Sequence, residues 1–120
     1  YKLVERLLSP GGGGATQATS PYFSRTAFWC IGKTIEQAGF QVHSYHLLVP
    51  SFGEWGFHLG TRKTIDYGAI RFSLGMSLLN SATWNSMSVF DRDMTPVSTA
   101  PNRLDKPMLA RYYRQDWEQW

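Results

Sequence analysis

Three places in this chain bring together residue types able to handle a small polar ligand: Gln17, Tyr45 and the turn Pro50-Ser51-Phe52-Gly53. Gln17 ends the strand-like start of the run Ala15 to Ser20, and its amide supplies both donors and an acceptor. Loops at the carboxyl ends of parallel strands line the ligand crevice of an open α/β sheet, so residues 17 to 20 fall where a substrate would sit. The competing reading is an amide that fixes its own loop by bonding to backbone. Tyr45 puts a phenol on a strand leading to the same region, either toward a ligand or into the core with its hydroxyl satisfied. Glu54 and Trp55 together would hold a cation by charge and ring face, or form an ordinary hairpin-tip charge beside a packed indole.

Other chemistries fit the residues less well. His43, His46 and His58 invite a zinc site, but side chains alternate along a strand, so His43 and His46 point to opposite sides; no metal site is assigned. Cys30 falls within a helical pattern with no activating base nearby in sequence, which reads as a buried, inert thiol. No GxSxG nucleophile elbow occurs. Asp91 and Asp93 flank Arg92 in what reads as a solvated turn, and Asp105 beside Lys106 reads as a surface pair. The run Gly11 to Gly14 is followed by Ala15-Thr16-Gln17, without the Lys-Ser/Thr pair or GxGxxG frame of a phosphate loop, and reads as a turn.

The elements that must position these residues follow from periodicity and punctuation. Residues 1 to 8 read as the end of a helix, since Leu3, Leu7 and Leu8 share one face, and Ser9-Pro10 with the glycines stops it. Residues 15 to 19 are expected to form a strand parallel to upstream neighbours. Ser20 is a plausible N-cap and Pro21 an N1 residue; Phe23, Ala27, Phe28, Ile31, Ile35 and Ala38 then repeat at helical spacing up to the stop at Gly39. Residues 41 to 49 and 54 to 62 have strand composition, and the connection of residues 50 to 53 makes them antiparallel neighbours. Further on, Ile70-Arg71-Phe72 reads as a short strand and Met76 to Met87 as helical. Pro96, Pro101 and Pro107 mark irregular chain before a terminal helix from Met108 to Trp120. A parallel strand with an antiparallel pair beside it makes a mixed α/β domain.

The 120 residues suffice for one domain with one core, and 42% hydrophobic with 18% charged residues is ordinary for a globular protein. The net charge of +3 is scattered rather than gathered into a stripe, which reads as solvation with mild anion attraction. One cysteine excludes an intrachain disulfide and a multi-cysteine zinc motif, and fits a reducing compartment. No apolar run approaches the roughly 18 to 20 residues of a membrane span. The chain lacks an initiator Met and opens in mid-helix pattern, which suggests a piece of a longer protein.

Three stretches carry a family resemblance: Gln17-Ala18-Thr19-Ser20-Pro21-Tyr22 before Phe28-Trp29-Cys30-Ile31; Tyr45 through Phe57; and Asn102-Arg103-Leu104-Asp105 with Arg111-Tyr112-Tyr113. They resemble the polyamine aminopropyltransferases, the spermidine and spermine synthases, and most closely the bacterial branch often fused to membrane helices. Better-studied members have Pro-Ser-Gly at the turn, where this chain has Pro50-Ser51-Phe52-Gly53. The resemblance implies that residues 1–120 are the C-terminal part of one catalytic domain, built on a Rossmann-like class I methyltransferase-type sheet with an antiparallel hairpin. It implies transfer of an aminopropyl group from decarboxylated S-adenosylmethionine, a co-substrate rather than a tightly bound cofactor, to an amine such as putrescine.

By the same resemblance Gln17 and Tyr45 contact the polyamine, while Pro50 and Ser51 shape its channel. The family's proton-accepting acid and glycine-rich nucleoside loop lie outside these residues, so no catalytic residue is expected here and the chain alone is expected to be inactive. The resemblance further implies a parent integral to the inner membrane, working at its cytoplasmic face, and a homo-oligomer. Two other readings stay open: an S-adenosylmethionine-dependent methyltransferase of the same fold, and a non-enzymatic binding module such as a weak RNA binder. The lack of a basic stripe ranks the module last and argues against nucleic acid as a partner.

Overall fold

A computed structural model describes residues 1–120. The chain runs through helix α1 (Lys2–Leu7), strand β1 (Gly13–Gln17), helix α2 (Arg25–Gln37), strands β2 (Gln41–Val49) and β3 (Gly53–Thr61), and helices α3 (Ser81–Met87) and α4 (Leu109–Trp117). Single 3₁₀ turns lie at Tyr67–Ala69 and Arg92–Met94. The sheet order is β1-β3-β2, with β3 antiparallel to both neighbours. β1 and β2 are therefore parallel to each other, α2 is the crossover between them, and the hairpin return strand occupies the middle. This is the mixed α/β arrangement expected from the hairpin signal.

β1 begins two residues earlier than expected and ends at Gln17 rather than at residue 19. Two of the four glycines thus belong to the strand and not to the turn. At Gly13 a Cβ would lie 3.1 Å from both the Gly60 carbonyl oxygen and Thr61 Cγ2, so the missing side chain lets two backbones approach. Within these residues the hydrogen-bonded partner of β1 is antiparallel β3, not a parallel strand.

One face of the sheet is filled by α2. Gly56 makes that contact possible, since a Cβ there would sit 2.2 Å from Phe28 Cε2, and Phe28 is fully buried. Ala27, Phe28 and Ile35 carry the expected apolar stripe inward, whereas Ile31 and Ala38 are half-buried and Phe23 is 41% exposed. Phe23 falls off the stripe because α2 starts at Arg25, one turn later than expected. Ser20 does cap, but it caps the preceding turn: its Oγ accepts from Tyr22 N and Phe23 N, each at 3.3 Å. Gly39, at φ +103, supplies the left-handed stop that a side chain would strain.

The other face carries His43, Tyr45, Phe57 and Leu59, which share it by register. Residues 67 to 88 fold over its β2 side: the Tyr67 ring stacks 3.9 Å from His43, and Trp84 lies 5.6 Å from His43 and 5.5 Å from Tyr45. The chain then rounds the β2 edge, so that Phe90 packs against His46, Trp29 and Phe28 on the α2 side. Residues 94 to 100 strap α2, with Arg25 Nε donating to the Thr95 carbonyl at 2.9 Å and Trp29 Nε1 to that of Met94 at 2.9 Å. α4 closes over α2.

Several expectations need correction. No strand forms at Ile70-Arg71-Phe72; the nearby regular piece is the 3₁₀ turn at Tyr67–Ala69, where Asp66 accepts from Gly68 N at 3.1 Å. The helix expected from Met76 starts only at Ser81. Asn80 accepts from Thr83 N at 2.9 Å and Thr83 Oγ1 accepts from Asn80 N at 2.8 Å, a reciprocal capping box that fixes the start. Asp105 pairs with Arg103 at 3.1 Å, not with Lys106. The expectation of a parent integral to the inner membrane and working at its cytoplasmic face is also corrected. No helix is long and apolar enough to cross a membrane, the longest being the 13 residues of α2.

Candidate functional site

Gln17 and Tyr45 lie in one cross-strand row. Gln17 on β1 is paired with Phe57 on β3, and Phe57 with Tyr45 on β2, so all three side chains project from the same face. Two strand spacings separate the ends of the row, about 9.5 Å. The Tyr45 and Phe57 rings stack at 5.2 Å and 11°, while Gln17 is exposed. The row is therefore a shelf with an aromatic floor, an amide at one end and a phenol at the other. Burial pushes the Tyr45 phenol up from its ordinary value, so it stays protonated and offers both a donor and an acceptor.

The loop after β1 is held from two sides. Ala18 N donates to the Gly56 carbonyl at 2.9 Å, and Gly56 N donates to that of Thr19 at 2.8 Å. Thr19 itself sits at φ +49, a left-handed conformation that costs a non-glycine residue about 1 to 2 kcal/mol. Its Oγ1 meets Tyr113 Oη of α4 at 3.2 Å, and that bond lowers the Tyr113 phenol from its ordinary value. A strained residue gripped by a distant helix at the carboxyl end of a strand holds Gln17 in place.

Pro50 and Ser51 sit elsewhere. Phe52 N donates to the Val49 carbonyl at 3.0 Å across a turn with Pro50 at its second position and Ser51 at its third, Ser51 having φ +70. Proline at the second position and positive φ at the third are the marks of a type II turn. Five residues of strand geometry separate Pro50 from Tyr45, about 16 Å, so the turn lies beyond the row and does not line its floor.

Glu54 and Trp55 do not converge on one cation. Alternation along β3 puts them on opposite faces, where Glu54 contacts His46 Nδ1 and the Trp55 indole N–H is buried without a partner. The histidines part likewise: His43 faces Tyr67 and Trp84, and His46 faces Phe90. No group of three His, Cys, Asp or Glu side chains converges as metal ligands would.

His58 forms a buried pair with Ser44 that the separation of the two residues in sequence hid. Its Nε2 donates to the Phe28 carbonyl at 2.8 Å, so Nδ1, 2.8 Å from Ser44 Oγ, is the acceptor for the hydroxyl. Burial outweighs the Phe28 bond and pushes the imidazole down to about 4, which leaves a weak base locked between sheet and helix. The pair is structural. Cys30 is fully buried as expected, and burial raises its thiol out of the thiolate range.

Two contributors to the shelf escaped the sequence reading. Trp84 and His43 stand beside Tyr45, and His43 Nε2 meets Ser88 Oγ at 2.9 Å, tying α3 down to β2. Burial lowers the His43 imidazole below its ordinary value, so it is neutral at neutral pH. The only local signal was the Asn80 capping box, which announces a helix without saying what it covers.

No protein-family model matches the chain. It is 38% identical over 118 residues to polyamine aminopropyltransferase 2 of Ralstonia nicotianae, covering 98% of the chain. It is 42% identical over 101 residues, 84% of the chain, to polyamine aminopropyltransferase of Leptospira interrogans, and 40% identical over 126 aligned residues, 98% of the chain, to that of Mycobacterium tuberculosis. The chain spans 23%, 20% and 23% of the lengths of these three relatives. The chain is thus a homologue, along nearly its whole length, of one segment of the polyamine aminopropyltransferases.

Proposed function

We propose that these residues form the amine-acceptor side of a polyamine aminopropyltransferase, as the C-terminal part of its catalytic domain. The whole protein would move an aminopropyl group from decarboxylated S-adenosylmethionine to an amine such as putrescine. The observation that carries this reading is the row Gln17–Phe57–Tyr45, which sets two neutral hydrogen-bonding groups at the ends of an apolar floor. An alkyl diamine has the same pattern: polar ends and an apolar middle.

The reaction is a displacement. The lone pair of a neutral amine attacks the methylene carbon next to the sulfonium, the C–S bond breaks, and its electron pair leaves on a neutral thioether. The new ammonium then releases a proton to a base. Such a step needs nitrogen and carbon aligned at about 3 to 3.5 Å. The Gln17 amide oxygen and the Tyr45 phenol oxygen accept N–H bonds from the amine, which orients its lone pair without adding charge. Pro50 and Ser51, about 16 Å along the strand from Tyr45, would shape only the outer mouth of the channel. The nucleoside and the proton acceptor are assigned to residues of the parent outside this chain.

The test is a substrate assay on the full-length protein with putrescine, comparing S-adenosylmethionine and its decarboxylated form as donors. Aminopropylated product from the decarboxylated donor alone is the expected result. Methyl transfer from S-adenosylmethionine, or no transfer from either, would overturn the reading.

A further inference from the structure

Over the sheet face that carries Gln17, Phe57 and Tyr45, the cover is uneven. Ala15 and Gln17 at the β1 side are exposed, whereas the β2 side lies under residues 67 to 88. Of that cover, Trp84 is the side chain that meets the row, its ring 5.5 Å from Tyr45. The indole is not free to swing: Nε1 donates to the Tyr67 carbonyl at 2.9 Å, and Phe72 packs edge-on against the ring at 6.4 Å. The Asn80–Thr83 capping box fixes where its helix starts, and the Ser88–His43 bond ties the helix's far end to β2.

We propose that Trp84 is a specificity-determining residue that limits the length of the acceptor amine; this rests on the acceptor-site reading above. A diamine lying from Gln17 across Phe57 toward Tyr45 runs along a row of about 9.5 Å and ends against a fixed indole. Within residues 1–120 the cover, and with it the stop, lies on the β2 side. A rigid apolar wall admits a given number of methylenes and rejects the next by overlap. The chemical class admitted is short alkyl diamines, whose polar ends meet Gln17 and Tyr45 while the chain stops at the indole.

The experiment compares full-length wild type, Trp84→Ala and Trp84→Phe with decarboxylated S-adenosylmethionine and diamines of three, four and five carbons. The readout is the ratio of specificity constants between acceptors, measured within one preparation, because that ratio does not depend on how much of a variant is folded. Removing the indole is expected to shift the five- over four-carbon ratio by on the order of tenfold, the usual worth of one methylene in a pocket, with Trp84→Phe shifting it less. An unchanged ratio in Trp84→Ala, with wild-type transfer intact, overturns the role of Trp84 and leaves the acceptor site standing. No transfer to any amine by wild type overturns the acceptor site and this role with it.

Discussion

Asp116 of α4 caps α2: its Oδ2 accepts the backbone N–H of Ala27 at 2.8 Å, and the residue is only 3% exposed. The helix's own N-cap, Ser24, makes no side-chain cap bond. A carboxylate at a helix N-terminus satisfies an orphan N–H and meets the positive end of the dipole. The start of α2, and with it the loop from Gln17 to Ser24, is therefore secured by a residue 89 positions away.

Asp116→Ala is expected to destabilise the protein by about 2 kcal/mol, the range for a charged hydrogen bond lost at a buried cap. Asp116→Asn, which keeps an acceptor oxygen, is expected to cost less. Urea unfolding of both variants checks this through a lowered midpoint at unchanged slope. Equal stability of Asp116→Ala and wild type would remove α4 from the account of how the loop is held.

Stability is expected to fall in mild acid because of His58. Its imidazole titrates at about 4 when folded against 6.5 ordinarily, so below pH 6.5 the unfolded chain binds a proton that the folded one refuses. The contribution is whole above pH 6.5 and drains away as the pH falls to about 4, a loss of about 3 kcal/mol in full. Unfolding free energy measured at pH steps from 7.5 to 4 reads it directly. His58→Gln should flatten that stretch; a curve as steep as wild type would assign the loss to other groups.

In the full-length protein, Tyr45→Phe and Gln17→Ala are each expected to lower the amine specificity constant roughly ten- to hundred-fold, the worth of a hydrogen bond to a charged or developing amine. Donor affinity, read by calorimetry, should stay within a few-fold. Loss of donor binding instead would move both side chains to the nucleoside side of the reaction.

Purified residues 1–120 are expected to give no aminopropyl transfer, since binding one substrate without the reacting partner and proton acceptor yields no turnover. Product by mass spectrometry, with contaminating synthase excluded, would place the whole machinery inside this chain.

Much of the frame was legible because its signals are local. Gly39 ends a helix through its own backbone conformation, and Pro50 to Gly53 joins two runs close enough to pair, so α2 and the hairpin follow from short-range preferences. Where a local signal competed with packing, boundaries moved: Ser20 caps a turn rather than α2, and Gly13 with Gly14 entered a strand.

Residue types and local spacing by themselves determined the order of elements through β3, the hairpin, and Gln17 and Tyr45 as polar groups on strands. That the two share one face was decided by register, because β3 slots between β1 and β2 and pairs Phe57 with both. A shift of one residue in either ladder would have turned one of them to the α2 side. Trp84 beside Tyr45, Ser44 on His58 and Asp116 on Ala27 likewise join residues 14 to 89 positions apart. Such contacts form only when packing selects one arrangement of elements among several, and no periodicity or turn within a single segment encodes that choice.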